Sequence, residues 1–155
     1  TSRFLTLTKG TGVINRIFHG YGKFEGEMDG RKNGALISMS TGKAVAFAIF
    51  NLQARGEMFV THNDPVYEGM IVGLTPKPGD MIINVMKGKQ LTNMRTQGTD
   101  ENVVLIPVRQ MSIAEQLSML NTDEALEITP KSLRLRKAIL NPHDRKRSEK
   151  SGAAA

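Results

Sequence analysis

Apolar and polar positions cut this chain into short segments, most of them suited to strands. Phe4, Leu5 and Leu7 lie within Ser2 to Lys9, with Gly10 behind them, the pattern of a helix's last turns. In Gly12 to Tyr21 the apolar positions Val13, Ile14, Ile17 and Phe18 suit a helical face and a strand alike. Its brevity and its β-branched and aromatic residues between two glycines favour a strand. Gly22 to Gly34 is polar and glycine-rich, which predicts a linker or exposed loop, and Ala35 to Ser40 reads as the next strand. Ala44 to Phe50 is apolar throughout. With Ser40 or Thr41 as cap and Gly56 as stop, it predicts a helix over Lys43 to Arg55 at the centre of the core, Arg55 facing the negative end of the dipole.

Strands are expected at Glu57 to Val60, Gly69 to Leu74 and Met81 to Met86, separated by HNDP and TPKPGD turns. Asn102 to Ile106 reads as a buried strand stopped by Pro107. Ser112 and Glu115 form a capping box before a short helix with an apolar face of Ile113, Leu117 and Leu120, ending near Asn121. Ala125 to Thr129 and Ser132 to Arg136 are the last expected strands. From Asn141 the chain should be disordered or frayed helix. The class is α+β, strand-rich, with two or three short helices.

Residues 87–102, KGKQLTNMRTQGTDEN, break this pattern. Leu91 and Met94 are three apart, but Gly88 and Gly98 bracket them and no third apolar position continues the period. A compact domain keeps so long a segment without structure when it is disordered or has something to touch.

Composition narrows the choices. A chain of 155 residues, 39% of them apolar, is one domain or one domain with a fragment of another. It holds no cysteine, so disulfides and thiolate chemistry are excluded. No apolar run reaches the ~18 to 20 residues of a membrane span, and neither end resembles a signal peptide. The opening TSRFLTLTKG has no initiator methionine, as expected of a piece cut from something longer. Charge is unevenly placed: residues 1–99 carry 12 basic and 7 acidic side chains, residues 100–130 one and six, and residues 131–150 eight and two. Basic surfaces around an acidic stretch suit a polyanionic partner, and equally an ordinary soluble protein with a solvated tail.

Catalytic chemistry finds little support. His62, Asp64 and Glu68 could ligate a metal, but a THNDP turn explains them without one. His19 and His143 lie in no triad or ligand spacing. The pairs Asp100–Glu101 and Asp123–Glu124 are adjacent residues that would point apart in a strand. The run Ser40 to Lys43 has Ile37 where a phosphate loop needs glycine and Ala44 where it needs a hydroxyl. No active site is expected in this chain.

The basic stretches are better suited to nucleic acid. Lys87, Lys89 and Arg95 can meet phosphates, while Gln90, Thr92 and Asn93 can meet sugars and base edges. The loop has no aromatic residue for stacking, and the same composition would serve a solvated hairpin. In TPKSLRLRK a strand would put Ser132, Arg134 and Arg136 on one face and Leu133 and Leu135 on the other. Arg134, Arg136 and Lys137 are therefore the second set of phosphate candidates.

GKQLTNMRTQGTDENVVLIP and ITPKSLRLRK, together with RKNGALISMSTGKAVAFAIFNLQARG and VYEGMIVG, resemble the C-terminal region of the BipA/TypA family of translational GTPases, relatives of elongation factor G. The similarity runs from Phe4 to about Arg147; Val108 follows Pro107 where the family usually has a second proline. The resemblance implies that residues 1–22 are the last helix and strand of a ferredoxin-like domain, 23–34 a linker, 35–140 the family's own C-terminal domain and 141–155 a basic tail. It implies an RNA- and ribosome-docking module without catalysis or cofactor of its own, in a cytoplasmic, monomeric parent whose G domain binds GTP and Mg. That parent would act in large-subunit assembly and stress-adapted translation. Its partners would be the large ribosomal subunit, ribosomal RNA and A-site tRNA, reached by the loop at Lys87 to Asp100. The alternative is a protein-interaction domain that uses the acidic stretch 100–130.

Overall fold

The computed structural model describes residues 4–5, 8–23, 31–88 and 103–152. Its centre is β1 (Ala35–Ser38), every residue of which is buried. The elements that follow are β2 (Gly42–Lys43), α1 (Ala46–Gln53), β3 (Glu57–Met58), β4 (Pro65–Val66), β5 (Ile71–Leu74) and β6 (Met81–Ile83). After them come α2 (Ile113–Ser118), β7 (Glu124–Ile128), β8 (Leu133–Lys137) and α3 (Pro142–Gly152). The main sheet has the order β3-β5-β1-β6, with β1 antiparallel to β5 and parallel to β6. Strands and short helices mix as an α+β domain should.

Alternation along β1 and β5 sends side chains to two cores. Leu36 and Val72 join Ile49 and Leu52 of α1 on one face. Ala35, Ile37 and Ile71 join Leu135 of β8 on the other, with Met111, Leu120 and Leu126 packed around them. The main sheet therefore lies between α1 and the β7–β8 hairpin. The hairpin is fastened by the Lys137 N–H, which donates to the Gly69 carbonyl at 2.9 Å, and by a bridge between Met70 and Arg136. Gly69 has φ +83°, and a Cβ there would lie 2.7 Å from the Leu140 Cα, so conformation and space both call for glycine.

Several expectations from the pattern need correcting. Gly42 and Lys43 pair with Val66 and Pro65, so α1 begins at Ala46 rather than Lys43. Its N-cap is Val45, without a side-chain bond, and the Ala46 N–H donates instead to His62 Nδ1 at 3.2 Å. Residues 11–23 form no strand: no ladder partner exists for them among the described residues, and Val13, Ile17 and Phe18 are exposed. Residues 103–106 form none either. Leu105 turns to the core, but Val104 and Ile106 are exposed, and the Ile106 N–H donates to Gln53 Oε1. Asn102, the first residue of that expected strand, lies outside the described residues.

The capping box at Ser112 and Glu115 forms, with the Glu115 N–H donating to Ser112 Oγ and the Ser112 N–H to Glu115 Oε2. Yet Ile113 and Leu117 are exposed, Leu120 alone of the expected face packs on a core, and Gln116 is the buried residue of α2. The tail beyond Asn141 is helical through α3, with Asn141 Oδ1 accepting from the His143 and Asp144 N–H groups. No helix among the described residues is long and apolar enough to cross a membrane.

Candidate nucleic-acid interface

Hairpin alternation separates the cations of β8 into two classes. Arg134 and Arg136 share the face opposite Leu133 and Leu135, as the spacing predicts, and both are half-buried. Glu127 pairs with Arg134 across the hairpin, its Oε1 accepting from Nη1 at 3.0 Å. Its Oε2 accepts from the Tyr67 hydroxyl at 2.6 Å. Burial first, and then the hydrogen bond to Glu127, push the Tyr67 phenol up to about 12. The Tyr67 hydroxyl and then Arg134, against some desolvation, hold the Glu127 carboxyl below its ordinary value. Arg136 donates from Nη1 to the Lys137 carbonyl at 3.2 Å, and no carboxylate among the described residues is within ion-pair distance of it. It is the cation of this face most open to a phosphate.

Lys137 does something else. Odd positions of β8 face inward, so its side chain follows Leu133 and Leu135 into the protein and is 1% exposed. Nζ lies 2.5 Å from Asp80, 2.7 Å from Asp123 and 3.0 Å from Glu124. Arg31 closes the cluster with two bonds to Glu124, at 2.7 and 3.2 Å. Desolvation opposes the charged amine, but the bonds to Asp123, Asp80 and Glu124 outweigh it and hold Lys137 above the ordinary lysine value. Asp80 is likewise desolvated, yet Lys137 and the Ala35 N–H hold its carboxyl low. An ammonium enclosed by three carboxylates has no donor left for a phosphate, so Lys137 leaves the candidate interface and joins the structural core.

Lys87 is exposed in the segment after β6. Lys89, Gln90, Thr92, Asn93 and Arg95 lie outside the described residues, as do Asp100 and Glu101. Of the acidic stretch, Asp123 and Glu124 hold Lys137, Glu127 holds Arg134, and Glu115 bonds Arg109 at 2.9 Å. The described carboxylates are thus answered within the domain. On α3, Lys146, Arg147 and Lys150 are exposed. Two of the residues weighed for metal have their ligating atoms engaged locally: His62 Nδ1 accepts from the Ala46 N–H, and Asp64 Oδ2 accepts from the Thr61 N–H at 2.7 Å. Among the described residues no group of three or more His, Asp or Glu side chains is placed so that it could hold a metal ion.

Sequence reasoning missed Arg31 and Asp80 as partners of Lys137. Parity in β8 was the available signal, since it places residue 137 with the leucines. It missed as well a cleft of about 670 Å³ beside the hairpin turn, lined in part by Arg109, Gln116 and Lys131. Nothing in the spacing joins those three.

The sequence profile of the TypA/BipA C-terminal domain matches residues 33–142. Over 150 residues the chain is 47% identical to the large ribosomal subunit assembly factor BipA of Buchnera aphidicola subsp. Schizaphis graminum, covering 96% of this chain and 25% of that protein. Proteins of the same name from Salmonella typhimurium and Escherichia coli K12 are each 46% identical, covering 96% and 97% of this chain and 25% of their own length. The chain thus spans about a quarter of the length of the curated relatives it matches. Matched across most of its length by the domain profile and nearly end to end by these relatives, the chain belongs to the TypA/BipA family, whose C-terminal domain it contains.

Proposed function

We propose that this domain docks its parent protein on the large ribosomal subunit by binding RNA, without catalysing a reaction itself. The observation that carries the reading is the division of charge. The described carboxylates of residues 103–130 are paired with cations of the same domain, while Arg136, Lys87, Lys131 and the basic side chains of α3 remain at the surface. A surface so arranged attracts a polyanion and releases its counterions on binding. The relatives' name, large ribosomal subunit assembly factor, supports ribosomal RNA as that polyanion.

On this reading the loop of Lys87, Lys89, Gln90, Thr92, Asn93 and Arg95 contacts ribosomal RNA and A-site tRNA, and Arg134 and Arg136 form a second contact. The parent is a cytoplasmic GTPase that carries GTP and Mg in a separate domain and acts in subunit assembly and stress-adapted translation. A protein-docking role for the acidic stretch is less favoured, because its described carboxylates already have partners.

The test is binding to purified large subunits over a range of salt. Replacing Lys87, Lys89 and Arg95 together by Ala should weaken binding and make the log–log salt slope shallower by about 2 to 3 units, and Arg136→Ala by about one. Wild-type affinity and slope in both variants would overturn the proposal.

A further inference from the structure

The outer face of the β7–β8 hairpin carries a carboxylate among its cations. Glu127 stands opposite Arg134, and Ala125 stands opposite Arg136. Glu127 and Arg136 are therefore diagonal neighbours on one face, with backbones about 7 to 8 Å apart. Ala125 offers Arg136 only a methyl group, and no carboxylate among the described residues pairs with it. Arg136 Nη1 donates to the Lys137 carbonyl at 3.2 Å, which leaves the donors of Nη2 and Nε for another acceptor.

Glu127 is held from two sides. Tyr67, packed against the core that includes Ile49 and Leu52, donates its hydroxyl to Oε2 at 2.6 Å. Arg134 donates from Nη1 to Oε1 at 3.0 Å. The Glu127 side chain nevertheless keeps 32% of its surface open. A carboxylate has about four lone-pair sites, so two bonds leave about two of them. The Tyr67 hydroxyl first, and Arg134 after it, hold the group below its ordinary value. It is ionised at neutral pH, and in that state it accepts and cannot donate.

A carboxylate opposes a phosphate-binding face unless something donates to it. The phosphate oxygens of a nucleic-acid backbone only accept, and they repel Glu127 as they approach Arg134 and Arg136. The donor within that backbone is the ribose 2′-hydroxyl, which RNA has and DNA lacks. We infer that Glu127 selects RNA over DNA at this face, by accepting the 2′-hydroxyl of a nucleotide whose 3′-phosphate meets Arg136. The 2′-oxygen and the 3′-phosphate leave neighbouring carbons of one ribose, a separation that two diagonal side chains can bracket. Tyr67 is a positioning residue, fixing the carboxylate before RNA arrives. The inference rests on the RNA-docking reading and adds to it a choice of sugar.

The whole chain should be titrated with single-stranded RNA, DNA and 2′-fluoro RNA of one sequence. Anisotropy would give affinities and amide NMR shifts the location. The fluoro strand keeps the sugar shape of RNA and lacks the donor. RNA should bind about three- to tenfold more tightly than either, the worth of one hydrogen bond at an open site. Its shifts should include Tyr67, Ala125, Glu127 and Arg136. Glu127→Gln removes the charge and keeps the size. DNA and the fluoro strand should then gain affinity while RNA gains little, and the preference should shrink to about twofold or less. Glu115→Gln removes the same charge elsewhere, and a capping box accepts glutamine. It should tighten every strand alike and leave the preference as it was.

RNA bound no more tightly than the 2′-fluoro strand would overturn the assignment of Glu127. So would a preference that survives in folded Glu127→Gln, or one that falls equally in Glu115→Gln. Were Glu127→Gln unfolded, wild-type shifts would decide. Those at Ala125, Glu127 and Arg136 should differ between RNA and the fluoro strand, and identical shifts would overturn the site. Binding of RNA and DNA without a preference defeats the sugar choice alone; a chain that binds neither defeats the docking reading with it.

Discussion

Glu127 divides its carboxylate between two residues of opposite kind, accepting from Arg134 at 3.0 Å across the hairpin and from the Tyr67 hydroxyl at 2.6 Å. One side chain thereby ties the outer face of β7–β8 to the segment after β4. Replacing Glu127 with Gln should bring the Tyr67 phenol down from about 12 toward its ordinary value near 10, as read by ultraviolet titration. Because the folded value is raised, the associated stability is present below about pH 10 and lost as pH rises through the folded value. In Glu127→Gln that alkaline loss should shrink. An unchanged phenol titration would mean that burial alone sets it.

Arg136 and Lys137 are neighbours with opposite duties, and substitutions should separate them. Lys137→Met removes the cation shared by three carboxylates, of which Glu124 alone keeps Arg31, and should cost about 3 kcal/mol or more in chemical denaturation. Arg136→Ala should stay within about 0.5 to 1 kcal/mol yet weaken large-subunit binding. Similar denaturation midpoints for the two variants would contradict the buried assignment of Lys137.

Acid should act on a carboxylate from each side of the hairpin, Asp80 at Lys137 and Glu127 at Arg134. Asp80 and Glu127 both have folded carboxyls held below their ordinary values. Their contribution is present above about pH 4 and is lost as pH falls through the lowered folded values. Melting temperature should therefore drop steeply below about pH 4, and Asp80→Asn should flatten that part of the profile. The variant should also be less stable at neutral pH, where wild-type Asp80 is ionised and bonded to Lys137. A profile identical in wild type and variant would remove Asp80 from the linkage.

Gly69→Ala combines a disfavoured φ with a collision against the Leu140 backbone. It should cost about 1 to 3 kcal/mol and displace the chain where it leaves for α3. Chemical shifts of Asn141 to Arg145 should move with it. Full wild-type stability would show that the two strands of chain can separate without loss.

What was legible in the sequence was mostly local. The capping box at Ser112 and Glu115, the apolar run that centres α1 and the two-faced pattern of Leu133 to Arg136 can be read within a few residues, and all appear in the fold. What was not legible depends on distant partners. Val13 to Phe18 has strand composition but no neighbouring strand among the described residues. Gly42 and Lys43 leave the expected helix because Pro65 and Val66 lie opposite them. Leu117 matched the helical period of a core face, yet the packing of α2 turned Gln116 inward. The site was split in the same way. Alternation separated Arg134 and Arg136 from the leucines. The fate of Lys137 needed Asp80 and Arg31, which approach from far along the chain.

The inward position of Lys137 makes the length of β8 unforgiving. Inserting one residue before Arg134 would exchange the two sides of the strand while leaving its composition intact. Both guanidiniums would turn toward Ile37 and Ile71, and the ammonium would swing away from Asp80 and Glu124. A strand with leucines on both sides tolerates such slippage, whereas this one penalises it twice, by stranding charge inside and by leaving its carboxylates unmatched. Lys137 thus acts as a reading-frame mark for the hairpin, telling the chain which way its arginines must look.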